Sequence, residues 1–234
     1  MSNVTVLERD RAYQRVLALI LGGEMDVNAP LSERKLAESL DMGRTPVREA
    51  IKRLTREGLL EVQPARGTYI RQLNLHDVEE IYEARFGIEG TAAYLAAERG
   101  PTERFAEFKS TFKKMIECPD NFDLAEIHGL GQEFHVEIFV AARNAILMDI
   151  YKPLRLKHSF ALRLPRIYDH GWVIESVLEH LEILEAIEAR DAIKARSLVC
   201  DHLVRGLEVR SRIFDDLMGT HQPTLAKGAV NRMH

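Results

Sequence analysis

The stretch Gly43–Leu60, "GRTPVREAIKRLTREGLL", decides the fold. Val47, Ala50, Ile51 and Leu54 recur at helical spacing and make one apolar stripe. Thr45, Arg48, Lys52 and Thr55 fall on the opposite side, and Arg44, Arg53 and Arg56 add further positive charge. Thr45 reads as the N-cap, with Pro46 at the first helical position, where a missing N–H costs nothing. Gly58 stops the helix. The result is a short helix with an apolar face and a basic face.

Upstream, Thr5 and Glu8 read as a capping box. Tyr13, Val16, Leu17, Ile20 and Leu21 continue as an amphipathic stripe that Gly22-Gly23 ends. Ser32 opens a second helix with Leu36, Ala37 and Leu40 on one face, and the turn "DMG" (Asp41–Gly43) leads into the third. Downstream, "LLEVQPARGTYIRQ" (Leu59–Gln72) holds two β-rich runs around Pro64-Ala65-Arg66-Gly67, the pattern of a hairpin with a polar tip. Helix, helix, turn, helix and a two-stranded wing make a winged helix-turn-helix over residues 1–73.

The charge supports that reading. The 234 residues carry a formal net charge of −4. Residues 1–74 hold twelve Lys/Arg against ten Asp/Glu, and the remainder twenty against twenty-six. Within 43–71, seven basic residues stand against three acidic ones, a local patch suited to an anionic partner. A solvated helix face would account for the charge alone. It does not account for the capped helix and the basic hairpin tip together.

Composition bounds the rest. Apolar residues make up 46% and charged residues 29%, ordinary for a globular chain. No apolar run is long enough to span a bilayer, no signal-peptide pattern opens the sequence, and no membrane partner is expected. Two cysteines, Cys118 and Cys200, without a CxxC, exclude a disulfide scaffold and a thiolate zinc finger and fit a reducing cytoplasm. From residue 74 onward only helical periodicity appears. Helices are expected near 75–99, 102–117, 121–142, 145–164, 172–189 and 192–216, with a kink at Pro153 and Asp191 capping the last. The chain is therefore expected to be mostly α: a winged helix-turn-helix, an all-helical bundle over 74–216, and a disordered tail over 217–234.

Leu31–Ile70, "LSERKLAESLDMGRTPVREAIKRLTREGLLEVQPARGTYI", resembles the GntR family of bacterial transcription regulators. The second part resembles the helical FCD ligand-binding domain of that family's FadR-type branch. It does so through "YEARFGIEGTAAYLAAERG" (Tyr82–Gly100), "EFH" (Glu133–His135), "EHLEILEAIEARDAIKARS" (Glu179–Ser197) and "DHL" (Asp201–Leu203). The resemblance implies DNA contacts at Arg34, Arg44, Thr45 and Arg48, and at Arg66 and Gly67 on the wing tip. Arginine forks suit guanine edges, and a helix start suits phosphate. Read singly, Arg44 or Arg48 could equally be a surface ion pair. Lys52, Arg53 and Arg56 read as generic phosphate contacts or solvated charges. A lone winged helix offers few contacts, so a homodimer on a palindromic operator is expected.

His135, His180 and His202 lie mid-helix in three different helices. Each alone would more often be a satisfied core histidine. Helical bundles also build metal sites from facing side chains, and the resemblance places all three at metal-ligand positions. The family's fourth ligand, an Asp one turn before the "FH" histidine, is here Gly131. His128 shares that face, but two turns away, roughly 10 Å. Three imidazoles without a carboxylate favour zinc or nickel over manganese. Arg85 and Arg163 are candidates to grip a small carboxylate effector, with an Arg85–Glu89 ion pair as the equal alternative. The expected function is an effector-responsive DNA-binding regulator, a repressor. A metal-responsive regulator is a second reading, and a three-histidine metal hydrolase a weaker third, since no HExxH or Ser-His-Asp arrangement accompanies the histidines.

Overall fold

The computed structural model describes residues 2–161 and 170–218, with side chains over 7–161 and 171–214. The described chain divides into two compact units, residues 2–74 with 155–161, and residues 75–154 with 170–218. Residues 219–234 of the expected tail and Arg163 lie outside the described residues, while the tail's first two residues, Leu217 and Met218, continue the last helix.

The first unit holds α1 (Ser2–Gly22), α2 (Glu33–Ser39), α3 (Arg44–Arg56), β1 (Leu60–Gln63) and β2 (Gly67–Ile70). Its core is the set of stripes read from the sequence. Tyr13, Val16 and Ile20 of α1 meet Leu36 and Ala37 of α2 and Val47, Ala50, Ile51 and Leu54 of α3. Leu156 and Phe160, from the second half of α7 (Ala145–Ala161), pack into the same core. Burying side chains of this size is worth about 1.5–3 kcal/mol each, which fixes the face that α3 turns outward.

Two helix starts differ from expectation. α1 begins at Ser2, so Thr5 lies inside it rather than capping it. α3 begins at Arg44 on the extended backbone of Gly43, which places Thr45 inside the first turn and not at the cap. Pro46 still costs no hydrogen bond, because the first four helical N–H groups have no intrahelical partner. Ser32 caps α2 as expected, accepting from the Lys35 N–H at 3.3 Å.

The turn between α2 and α3 is a Schellman motif. Asp41 takes φ 48°, Met42 N–H donates to Ala37 O at 2.9 Å, and Asp41 N–H donates to Glu38 O at 3.3 Å. The end of α3 repeats it with Gly58 at φ 80°, Leu59 N–H reaching Leu54 O and Gly58 N–H reaching Thr55 O, both at 3.0 Å. β1 and β2 pair antiparallel, Leu60 opposite Ile70 and Gln63 opposite Gly67. At the tip, Arg66 N–H donates to Gln63 O at 3.0 Å, with Ala65 at φ 61°. Gly67 sits at φ 124°, a backbone that only glycine adopts without strain.

The second unit is helical: α4 (Leu75–Arg99), α5 (Arg104–Glu117), α6 (Leu124–Ala141), the first part of α7, α8 (His170–Glu188) and α9 (Ala192–Met218). α7 runs on through Pro153. Asp123 opens α6 with a capping box to Glu126, Asn144 accepts from Leu147 N–H, and Asp191 accepts from Lys194 N–H. α4 packs closely on α9 because Gly90 and Gly206 lack side chains. A Cβ on Gly90 would lie 3.1 Å from Cys200 Sγ, and one on Gly206 would lie 3.1 Å from the Tyr82 hydroxyl. Phe105, Phe108, Phe112 and Phe134 form an aromatic wall between α5 and α6, with edge-on pairs at 5.3–5.9 Å.

Candidate DNA-binding face and histidine centre

The apolar side of α3 is buried, so its polar side is turned to solvent. Arg34, Arg44, Thr45, Arg48, Arg66 and Gly67 are all exposed. Arg48 Nε lies 2.9 Å from Glu33 Oε2, which spans α2 and α3, and Arg34 pairs with Glu38 one turn along at 3.1 Å. These are exposed pairs of small net worth, which an anionic partner can displace. The free N–H groups of the first α3 turn sit beside Thr45, at the positive end of the helix.

Arg53 has a different place. Its guanidinium stacks over the Tyr13 ring at 3.8 Å and lies 3.0 Å from Glu57, whose other oxygen accepts from the Tyr13 hydroxyl at 2.7 Å. Burial and the Glu57 carboxylate both push the Tyr13 hydroxyl far above its ordinary range. Arg53 thus ties α3 to α1. Lys52 pairs within its own helix, with Glu49 at 3.0 Å.

In the second unit, three helices bring three imidazoles to one point. The Nε2 atoms of His135 (α6), His180 (α8) and His202 (α9) lie 3.2, 3.3 and 3.3 Å apart. His135 and His180 are buried and His202 nearly so. Behind His202, Nδ1 lies 2.6 Å from Glu179 Oε2, whose other oxygen accepts from Arg205. A carboxylate only accepts, so His202 carries its proton on Nδ1 and presents a bare Nε2 lone pair. Behind His135, Nδ1 lies 2.7 Å from Glu89 Oε2, without the alignment of a hydrogen bond. Glu89 Oε1 in turn is 2.5 Å from Arg85 Nε, and both residues are buried. Of the two readings open for Arg85, its side chain makes the ion pair.

The electrostatics follow. Burial works against the charge on Glu89, yet Arg85 and His135 outweigh it and hold the carboxyl at about 2. Burial likewise opposes charge on Glu179, and His202 and Arg205 still bring it below the usual range. Desolvation, then the neighbouring His202 and His135, press His180 well below an ordinary histidine. Desolvation also lowers His202, against the pull of Glu179. Three convergent imidazole nitrogens are what a cation binds.

The spacing fits one. Nitrogens 3.2–3.3 Å apart can all lie about 2.1 Å from a single ion at N–metal–N angles of about 100°, between tetrahedral and octahedral values. The carboxylates behind two of the rings match the usual outer support of metal-bound histidine. Among the described residues, no fourth side chain joins the cluster.

Gly131 is buried on α6 and faces this cluster. A Cβ there would lie 2.9 Å from His180 Cε1. Glu133 turns away to Arg104 at 2.8 Å. Glu89 and Glu179 are the site residues that sequence reasoning missed. A signal existed for Glu89: with Arg85, it falls on the otherwise apolar stripe of α4 that includes Val78, Tyr82, Ala92 and Ala96.

Residues 8–70 match the model for bacterial regulatory proteins of the gntR family, and residues 80–205 match the FCD domain. An uncharacterized HTH-type transcriptional regulator of Bacillus subtilis, YdhC, is 27% identical over 84% of this chain and 91% of its own. A probable D-xylose utilization operon transcriptional repressor of Paenarthrobacter nicotinovorans is 31% identical over 67% of this chain and 68% of its own. The Escherichia coli McbR/YncC structure shares the fold at TM-score 0.74, with 23% identity, covering 91% of this chain and 99% of that one. Among the described residues no helix is long and apolar enough to cross a membrane. Exposed arginines on a capped-turn helix and wing, followed by a helical domain with its own family pattern, place this chain in the GntR family of bacterial transcriptional regulators, with a C-terminal FCD domain, and not among enzymes.

Proposed function

We propose that this regulator is a repressor that binds a palindromic operator as a homodimer, and that a small carboxylate, held through a divalent ion, modulates its operator affinity. The observation that carries the effector half is the triangle of Nε2 atoms on His135, His180 and His202, 3.2–3.3 Å apart. Nitrogen donors alone favour zinc or nickel over manganese. A divalent ion there would supply a Lewis acid to an anionic oxygen. His202 is oriented by Glu179, and His135 is backed by Glu89 and Arg85.

The DNA half rests on α3 and the wing. Arg44, Arg48 and Arg66 are exposed on elements fixed by a buried core. Bidentate arginine–guanine contacts are worth about 1–3 kcal/mol of discrimination each. The D-xylose operon relative is named a repressor, which supports that sense of regulation. Coupling requires the effector to prefer one arrangement of the DNA-binding units over another.

The test is selection of operator DNA by the full-length chain, followed by anisotropy titrations with zinc, with a carboxylate panel, and with both. A selected palindrome whose affinity changes only when both are present supports the proposal. Change with zinc alone favours the metal-responsive reading. No sequence-selective binding at moderate salt overturns the DNA half.

A further inference from the structure

The arginines of the first unit differ in which nitrogen is already engaged. Arg48 is held through Nε, 2.9 Å from Glu33 Oε2. Arg34 is held through Nη1, 3.1 Å from Glu38 Oε1 on its own helix. Arg53 is held at both ends, Nε at 3.0 Å from Glu57 and Nη1 at 3.6 Å from Asp10, with its plane on Tyr13. A guanidinium meets a guanine edge either end-on, through its two terminal nitrogens, or side-on, through Nε and one of them. A carboxylate on Nε closes the side-on approach and leaves the end-on fork clear. Of the three paired arginines, only Arg48 keeps that fork among the described residues.

Both ends of the Glu33–Arg48 pair are anchored. Glu33 is the first residue of α2, directly after the Ser32 cap, and Arg48 lies in the second turn of α3. Leu36 and Ala37 fix the one helix in the core, and Val47 and Ile51 fix the other. An exposed pair of this kind adds little to stability. Its consequence is for the freedom of Arg48: immobilising a long side chain on binding otherwise lowers affinity by about two- to tenfold. A phosphate competes with Glu33 for Arg48 and is repelled by its charge. A guanine edge takes the terminal nitrogens and leaves the pair in place.

Resting on the reading of Arg48 as a DNA contact, we infer that Glu33 is a positioning residue for sequence recognition. It holds Arg48 by Nε and presents the two terminal nitrogens to O6 and N7 of one guanine in each half-site. The same carboxylate weakens contact with DNA that lacks that guanine, so it widens the gap between operator and non-operator sequence from both sides.

The test compares the full-length wild type with Glu33→Ala, Glu33→Gln, Arg48→Ala and the Glu33→Ala/Arg48→Ala double variant. Anisotropy at moderate salt gives affinities for the duplex selected from a random pool, for a scrambled duplex of equal length, and for selected duplexes with 7-deazaguanine at single guanines, which removes N7. Circular dichroism confirms that each variant is folded. Glu33→Ala should bind the selected duplex about tenfold more weakly and the scrambled duplex no more weakly than wild type. Glu33→Gln, whose amide oxygen still accepts from Nε, should keep most of the specific affinity. One 7-deazaguanine position should weaken the wild type and have a smaller effect on Glu33→Ala. In the Arg48→Ala background, Glu33→Ala should cost nothing further. Unchanged or tighter operator binding by Glu33→Ala would overturn the inference and leave Arg48 as a DNA contact. Equal losses on both duplexes would overturn it in favour of a structural role. A full further loss in the double variant would overturn it by showing that Glu33 touches the DNA itself. A wild type that selects no sequence, or Arg48→Ala binding the selected duplex as wild type does, would overturn the reading of Arg48 as well.

Discussion

Gly131 and the imidazole of His180 are matched to each other. A Cβ on residue 131 would approach His180 Cε1 to 2.9 Å, closer than van der Waals contact allows. The ring has little freedom to retreat, since it stacks on Phe112 at 5.7 Å and meets Phe134 at 5.4 Å. Gly131→Ala therefore sets two effects against each other. Ala in a helix gains about 0.5–1 kcal/mol over Gly, while overpacking a buried site costs about 1–3 kcal/mol. The clash wins, and stability falls by about 1 kcal/mol in urea titrations of the metal-free chain. A displaced His180 Nε2 also weakens zinc binding, which competition with a chromogenic chelator measures.

Glu89 and Glu179 stand behind different histidines but differ in what depends on them. Glu179→Gln leaves Arg205 half-exposed and able to reach water. Its expected cost is under about 1 kcal/mol of stability, with zinc affinity down about 10- to 100-fold through loss of the support behind His202. Glu89→Gln leaves the Arg85 guanidinium buried without its counter-charge. That variant loses about 3–5 kcal/mol. Thermal unfolding of both metal-free variants, beside the wild type, separates the two cases. Equal losses would mean that the burial of Arg85 does not matter.

If the site binds zinc, saturation at about a hundredfold above Kd adds about 2.7 kcal/mol to stability. For a chain of this size that raises the melting temperature by roughly 5–10 °C. His202→Ala removes a ligand and should abolish most of the rise. An identical rise in the variant would assign zinc to some other place on the chain.

The two halves of the molecule were legible to different degrees. Val47, Ala50, Ile51 and Leu54 announced the buried face of α3 by spacing alone, and Asp191 caps where its residue type suggested. Thr45 misled because a Thr-Pro pair fits either the cap or the first turn, and the extended backbone of Gly43 takes the cap. Arg53 looked like its basic neighbours, since nothing local reveals Tyr13 beneath it. The histidines could be named as candidates, and Gly131 stood out as a departure. That the His180 ring fills the space beside Gly131 depends on how α6 and α8 pack, which no local pattern encodes. Glu179 adjoins His180 in sequence yet supports His202, for the same reason.

Arg53 and its neighbours on α3 should separate cleanly by measurement. Arg53→Ala removes the stack on Tyr13 and leaves Glu57 without its guanidinium, costing about 1 kcal/mol of stability. Arg56→Ala, at an exposed position on the same helix, should change stability by less than about 0.5 kcal/mol. On operator DNA the order changes if Arg56 meets phosphate. Arg56→Ala then lowers the slope of log affinity against log salt by about 1. Arg53→Ala should leave the slope unaltered, because its charge is already engaged by Glu57 and Asp10.

Gly67→Ala tests the wing without touching the core. The residue sits at φ 124°, and a Cβ there would also lie 3.2 Å from Pro30 Cβ. Both effects oppose any side chain, yet the residue is exposed and the core stripes of α1, α2 and α3 lie elsewhere. Rearrangement of the tip, at a strain of about 1–3 kcal/mol, is therefore expected with the helical content intact. Arg66 would move with the tip, so operator affinity falls at least as far as in Arg66→Ala, by circular dichroism and anisotropy on the same samples. Full operator affinity in Gly67→Ala would show that the wing tip takes no part in DNA binding and would confine recognition to α3.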